Sequence, residues 1–221
     1  MTRVYITGCA RSGTKYLAEV LSAAGVSATH ERLVMTASGG VVRFEAARAG
    51  SVEVSSDGVY RCTDLAGLPG MRAMGHVIRH PRLVVASLVG RGMWEQGWGE
   101  RRRYEWPALG VQSLSAIDRS LLYWIMANQW LDARVGRDEV PVVQFRLEEP
   151  AAALDALCRL GGLKLDRERL REALAMVPQD VNHRADTPPL AYDWGEHDPW
   201  LREVAETMVR GYGLRELEEA A

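Results

Sequence analysis

The apolar positions of the chain fall into short buried-looking runs that alternate with longer stretches of helical spacing. Val4-Tyr5-Ile6-Thr7 is such a run, ended by Gly8. From Thr14 to about Ala24, Leu17, Val20, Leu21 and Ala24 recur at helical intervals, and Gly25 is a natural stop. Val26-Ser27-Ala28-Thr29 predicts a short strand leading to His30-Glu31. Between Leu33 and Gly50 the pattern is weak: Ser38-Gly39-Gly40 marks a loop, and Val41-Val42-Arg43-Phe44 suits a strand or a helix start equally. Residues 51–56 alternate as a strand and end at the turn signal Asp57-Gly58. Gly75-His76-Val77-Ile78-Arg79 predicts a buried strand stopped by His80-Pro81, with Pro81 placed to open a helix from Arg82 to Val89. The longest helical pattern runs from Ser113 to about Arg134, with Leu114, Ile117, Leu121, Trp124, Ile125 and Leu131 near one face. A strand over 139–146, helices from Pro150 through Leu160 and from Arg167 to Met176, and a last helix from about Asp198 to Arg210 complete the set.

Strands alternating with helices predict an α/β fold with three layers: a mainly parallel five-stranded sheet flanked by helices, in the manner of P-loop NTPases. No repeat or long linker divides the 221 residues, which predict a single domain over 1–221. Residues 91–112 stand apart, because Trp94, Trp98 and Trp106 are interleaved with Arg101-Arg102-Arg103 and Tyr104. They form a candidate lid or substrate loop, or else a surface loop whose aromatics pack back on the core.

Composition narrows the function classes. Hydrophobic residues make up 47% and charged residues 25%, with a formal net charge of −2, which argues against a dedicated nucleic-acid binder and requires any anion site to be local. No run is long enough for a signal peptide or an integral membrane segment, so the expected location is cytoplasmic. Cys9, Cys62 and Cys158 are odd in number and widely spaced, suggesting neither a disulfide framework nor a zinc site. His76 and His80 are about 13 Å apart on an extended segment and do not make a metal pair.

The chemistry concentrates in Gly8-Cys9-Ala10-Arg11-Ser12-Gly13-Thr14-Lys15, a small-residue loop between the first strand and the first helix. Such a loop aims backbone N–H groups and the positive end of a helix dipole at one point, which favours an anion, usually phosphate. Gly8 and Gly13 have the spacing of the nucleotide P-loop, but Thr14-Lys15 reverses the Lys-[ST] order that places a cation on the outer phosphates and a hydroxyl on magnesium. The cation sits inside the loop instead, at Arg11, whose planar fork holds an oxyanion without a metal. A second such signal is Arg79-His80-Pro81 followed by Ser87. Two anion sites at strand ends, each with an arginine and a hydroxyl, suit a nucleotide phosphorylated at two positions.

These segments resemble the superfamily of sulfotransferases that use 3′-phosphoadenosine 5′-phosphosulfate (PAPS). The first loop is similar to the family's 5′-phosphosulfate loop, typically P-[KR]-[ST]-G-T, with Ala10 where proline is common. Arg79 through Ser87 resembles the 3′-phosphate motif, usually R-D-P and a later serine, with His80 in place of the aspartate. Phe145-Arg146-Leu147-Glu148-Glu149-Pro150 with Leu160-Gly161-Gly162-Leu163 is similar to a third, structural segment.

The resemblance implies transfer of a sulfuryl group from PAPS to a hydroxyl or amine of a small-molecule, glycan or lipid acceptor, leaving the desulfated nucleotide PAP, with no metal. It assigns Arg11, Ser12, Gly13, Thr14, Lys15, Arg79 and Ser87 to the nucleotide, with Arg184 a further cation for the 3′-phosphate or a plain surface arginine. The Lys15 side chain either reaches the sulfate or is solvated. Related enzymes place the general base after the second strand, which here is His30-Glu31. Adjacent residues on an extended segment point to opposite sides, so one of the two faces the acceptor, Glu31 before His30. A P-loop nucleotide kinase or NTPase, and a non-catalytic nucleotide-binding module, are the competing readings. Neither the acceptor's identity nor the oligomeric state is legible.

Overall fold

A computed structural model describes residues 2–32, 34–38, 41–45, 50–56, 59, 66–94, 111–134, 140–179 and 191–214. Residues 95–110 of the candidate lid, together with Cys62 and Arg184, lie outside the described residues. The strands are β1 (Val4–Thr7), β2 (Ala28–His30), β3 (Val34–Ser38), β4 (Val41–Glu45), β5 (Val52–Val54), β6 (Ala73–Ile78) and β7 (Val142–Arg146). The helices are α1 (Thr14–Ala23), α2 (Pro81–Gly90), α3 (Ala116–Asp132), α4 (Ala151–Leu160), α5 (Arg167–Met176) and α6 (Pro199–Gly211).

Five strands form one all-parallel sheet in the order β2-β5-β1-β6-β7, as the α/β reading expects. Alternation of side chains along β1 sends Val4 and Ile6 to one face and Tyr5 to the other, and each face carries its own apolar cluster. Leu17, Val20 and Leu21 of α1, Leu154 and Leu157 of α4, and Leu170 of α5 cover the first face. Val84, Val85 and Leu88 of α2, Leu121 and Trp124 of α3, and Leu201 and Val209 of α6 cover the second. The result is three layers with a sheet buried on both sides, which is why its strands read as near-continuous apolar runs.

The ambiguous segment after Leu33 resolves as an antiparallel pair, β3 with β4, outside the main sheet, with Val34 opposite Glu45 and Ser38 opposite Val41. The second strand begins later than its sequence pattern suggests. Gly25 takes a left-handed conformation (φ 86°) and Val26 donates its N–H to Leu21 O at 2.9 Å, so Val26 closes α1 before the strand starts.

Chain order fixes where a ligand can sit. After β1 the chain crosses to β2 on one side of the sheet; after β6 it passes by α2 and α3 to β7 on the other. The loops that follow β1 and β6 therefore part at adjacent strands, and their divergence leaves a crevice at the carboxyl edge. Both anion motifs flank it.

Candidate functional site

The first motif is a tight loop whose small residues are sterically required. A Cβ on Gly8 would lie 2.4 Å from Val77 O and 2.6 Å from Ser12 Oγ. Gly13 caps α1 at φ 92°, with the Leu147 side chain filling the space a Cβ would need. Among the described residues no side chain caps the helix, whose N-terminus faces the crevice, where the helix dipole favours negative charge. Ser12 N–H is already donated to Cys9 O at 3.1 Å within the turn. Its hydroxyl is buried, and among the described residues it has no hydrogen-bond partner. Arg11 itself lies in the left-handed region at φ 73°, a backbone state that costs a non-glycine residue of order 1 kcal/mol and concentrates at functional sites.

The second motif meets the first directly. Arg11 Nε donates to Ser87 Oγ at 2.8 Å, and Arg79 donates from its guanidinium to Arg11 O at 3.1 Å. The two loops thus share one cationic pocket. Burial pushes the Arg11 guanidinium down to about 10, with repulsion from Arg91 and Arg79 adding to it and Glu31 opposing. Burial also lowers Arg79, against the opposing pull of Glu148 and Cys9. Arginines that repel one another in a desolvated crevice are a receptor for a polyanion.

His80 stands at the N-cap of α2, where its Nδ1 accepts the Arg82 N–H at 3.3 Å and Pro81 occupies the first helical position. That role needs a neutral imidazole with a lone pair on Nδ1. Burial and the neighbouring Arg82 hold His80 down at about 4. A capping aspartate would supply the same acceptor, so the histidine preserves the local structure that aims Arg79 and Ser87.

The third element is His30-Glu31, at the end of β2. The expectation that adjacent side chains diverge does not hold, because Glu31 is not extended: its φ is 54°. The bend brings both side chains to one side, with His30 Nε2 at 3.7 Å from Glu31 Oε1 and at 3.2 Å from Thr14 Oγ1. The Glu31 side chain is 45% exposed and that of His30 22%. The pair therefore lines the same crevice as the head of α1.

Of the residues singled out from sequence, Arg11, Ser12, Gly13, Thr14, His30, Glu31, Arg79 and Ser87 converge at this edge. Lys15 lies on the outer side of α1, with its ammonium 3.7 Å from Glu19 Oε1. Sequence reasoning missed the supports supplied by α3. Tyr123 OH accepts the Ala10 N–H at 3.0 Å, and Trp124 Nε1 donates to Arg79 O at 2.9 Å. One pair of neighbouring aromatics thus fixes both anion loops. Their apolar spacing marked them only as core, and the polar ends of Tyr and Trp were the available signal.

Among the described residues, no group of three or more His, Cys, Asp or Glu side chains could hold a metal ion, and no helix is long and apolar enough to cross a membrane. No family model matches the sequence, and no curated protein matches it. Solved structures do. The chain is similar over 97% of its length to 84% of the mouse sulfotransferase SULT7A1, in a crystal structure complexed with PAP, at 11% identity and a TM-score of 0.47. It is also similar over 96% of its length to 92% of a sulfotransferase from Alicyclobacillus acidocaldarius, at 18% identity and a TM-score of 0.40. At such identities the site's own geometry must carry any functional conclusion.

Proposed function

We propose that this chain is a sulfotransferase that moves a sulfuryl group from PAPS to a hydroxyl or amine of a small-molecule, glycan or lipid acceptor. The observation that carries this is the meeting of Arg11 and Arg79, from two different strand ends, in one half-buried crevice at the head of α1. A P-loop kinase places a lysine on the outer phosphates and a hydroxyl on magnesium. Here Thr14 occupies the lysine position, and Lys15 lies beside Glu19. The cation that remains in the loop is an arginine, suited to a metal-free oxyanion.

The residues fit such a donor. The Gly8 cradle leaves no room for a Cβ, and among the described residues the buried Ser12 hydroxyl has no hydrogen-bond partner and no side chain caps the first turn of α1. Arg11, Thr14 and the amides of Gly13, Thr14 and Lys15 would hold the 5′-phosphosulfate; Arg79 and Ser87 would hold the 3′-phosphate. The donor supplies an activated sulfur: the acceptor oxygen or nitrogen forms a bond to it as the bond to the bridging 5′-phosphate oxygen breaks, and the electron pair departs with PAP. Arg11 and the loop donors are preorganised where that negative charge grows. The acceptor's proton passes to Glu31, whose carboxylate is the more open of the pair, with His30 second because its Nε2 is engaged with Thr14.

Thermal shift with PAPS, PAP and ATP-magnesium tests this. A ligand that binds only the folded chain at ~100 times its Kd adds about 2.7 kcal/mol of stability. PAP and PAPS are expected to stabilise, with PAP released from PAPS on turnover. Stabilisation by ATP-magnesium alone would overturn the assignment.

A further inference from the structure

Glu53 is a fully buried carboxylate in the middle of β5, an interior strand of the sheet. A lone carboxylate there would be costly, and its two oxygens are both used. Oε2 accepts the Thr29 hydroxyl, and Oε1 accepts the Arg32 N–H at 2.8 Å. Thr29 Oγ1 in turn accepts the Gly50 N–H at 2.8 Å. Thr29 and Arg32 are the residues immediately before and after His30-Glu31. Glu53 therefore grips both ends of the bend, while Glu31 N–H donates to Val54 O at 3.3 Å on the same strand.

We infer that Glu53 is a positioning residue for the His30-Glu31 pair: it holds the left-handed turn at Glu31 closed and so keeps both side chains facing the head of α1. This rests on the sulfotransferase assignment for its catalytic consequence, though not for the clamp itself. The physical case has two parts. A φ of 54° is disfavoured for glutamate, so the bend needs an external restraint. Hydrogen bonds to a carboxylate are stronger than neutral ones, and two on one rigid strand supply that restraint. Register adds a reason why the side chain lies where it does. Glu53 is aligned with Thr29 on β2 and with Tyr5 on β1, and alternation puts it on the sheet face opposite to Val52 and Val54.

The test compares wild type, Glu53→Gln, Thr29→Val and Thr29→Ser, each first checked for PAP binding. Glutamine keeps the shape but not the charge: with its oxygen on the Arg32 N–H and its amide nitrogen turned to Thr29 Oγ1, the bond at Arg32 loses its charge assistance and the Thr29 hydroxyl loses its acceptor. Hydrogen exchange of single amides reads the clamp without any turnover. In Glu53→Gln the Arg32 amide is expected to exchange at least ~10-fold faster, while the Ser55 amide, bonded to Ile6 O, changes by less than about 3-fold. With water as the probe acceptor, PAP release from PAPS is expected to fall about 10-fold in kcat with the KM for PAPS held within roughly 2-fold. Thr29→Val should share both effects, and Thr29→Ser, which keeps the hydroxyl, should restore them.

An unchanged Arg32 amide in Glu53→Gln would overturn the clamp, as would equal loss of protection at Arg32 and Ser55, which would make Glu53 a strut of the whole sheet. Combination with Glu31→Gln is decisive for the catalytic consequence. A residue acting through the bend adds no further loss in the double variant, and a fully multiplicative loss would refute it. Wild type that is stabilised by ATP-magnesium and not by PAP would remove the sulfotransferase assignment, leaving the exchange comparison to decide the clamp.

Discussion

His80 offers a sharp test of how the second anion loop is built. Its ring is buried at 6% exposure and caps α2 through a lone pair on Nδ1, which protonation would abolish. In the folded chain it titrates at about 4, against 6.5 ordinarily. The sign follows directly: between these values the unfolded chain takes up the proton and the folded chain resists it, so stability rises with pH. The contribution is complete above the unfolded value and is lost as pH falls through 6.5 towards 4. Between pH 7 and pH 5 this group alone accounts for about 2 kcal/mol. His80→Asn keeps a strong capping acceptor without a titrating ring, and should lie within about 1 kcal/mol of wild type at pH 7. Urea midpoints for both proteins at pH 7, 6 and 5 make the comparison. His197 is also held low by burial and Asp132 also titrates low, so wild type has other acid-sensitive sites. Those are common to both proteins and cancel. The variant's curve should be flatter by about 2 kcal/mol across the window; parallel curves would refute the neutral-cap argument.

Other consequences are open to direct measurement. Arg11→Ala and Arg79→Ala should each weaken PAP binding at least ~10-fold by calorimetry, because each removes a charge-assisted donor from a desolvated pocket. Glu31→Gln should leave PAP affinity within about 2-fold while lowering turnover by ~100-fold or more; unchanged turnover would move the base to His30. Gly8→Ala should cost about 2 kcal/mol or more of folding stability in urea, because its Cβ would meet Val77 O, a backbone atom of an interior strand that cannot yield cheaply.

Much of the frame was legible because the chain's periodicities are clean. The helix at Arg167–Met176 matches its sequence pattern residue for residue, bounded by the Asp166 cap and the end of its apolar face. The loop after β1 was legible because glycine spacing and a helix start leave few alternatives. Less was visible where structure depends on distant partners. Residues 34–38 pair with 41–45 outside the main sheet, and the sequence pattern of a two-stranded unit does not separate it from a helix start. His30-Glu31 was placed at the correct strand end but with the wrong geometry, because the left-handed turn at Glu31 comes with a carboxylate 22 residues away in sequence. Glu53 itself read as the polar half of an alternating strand, and nothing local distinguishes a solvated glutamate from a buried clamp.

The same long-range logic explains why the crevice can hold repelling cations at all. Desolvation and repulsion from Arg91 and Arg79 both act against the charged form of Arg11, and desolvation acts against that of Arg79. Glu31 and Glu148 offset part of this, and contacts to backbone and hydroxyl groups hold the loops in place. Tyr123 takes the Ala10 amide, Trp124 holds the Arg79 carbonyl, Ser87 accepts from Arg11 Nε, and the absence of a Cβ at Gly8 and Gly13 lets the loop pack closely on Val77 and Leu147. The fold thereby bears the unfavourable electrostatics before any ligand arrives. An anion bound between the two loops would relieve the repulsion that Arg79 and Arg91 exert on Arg11.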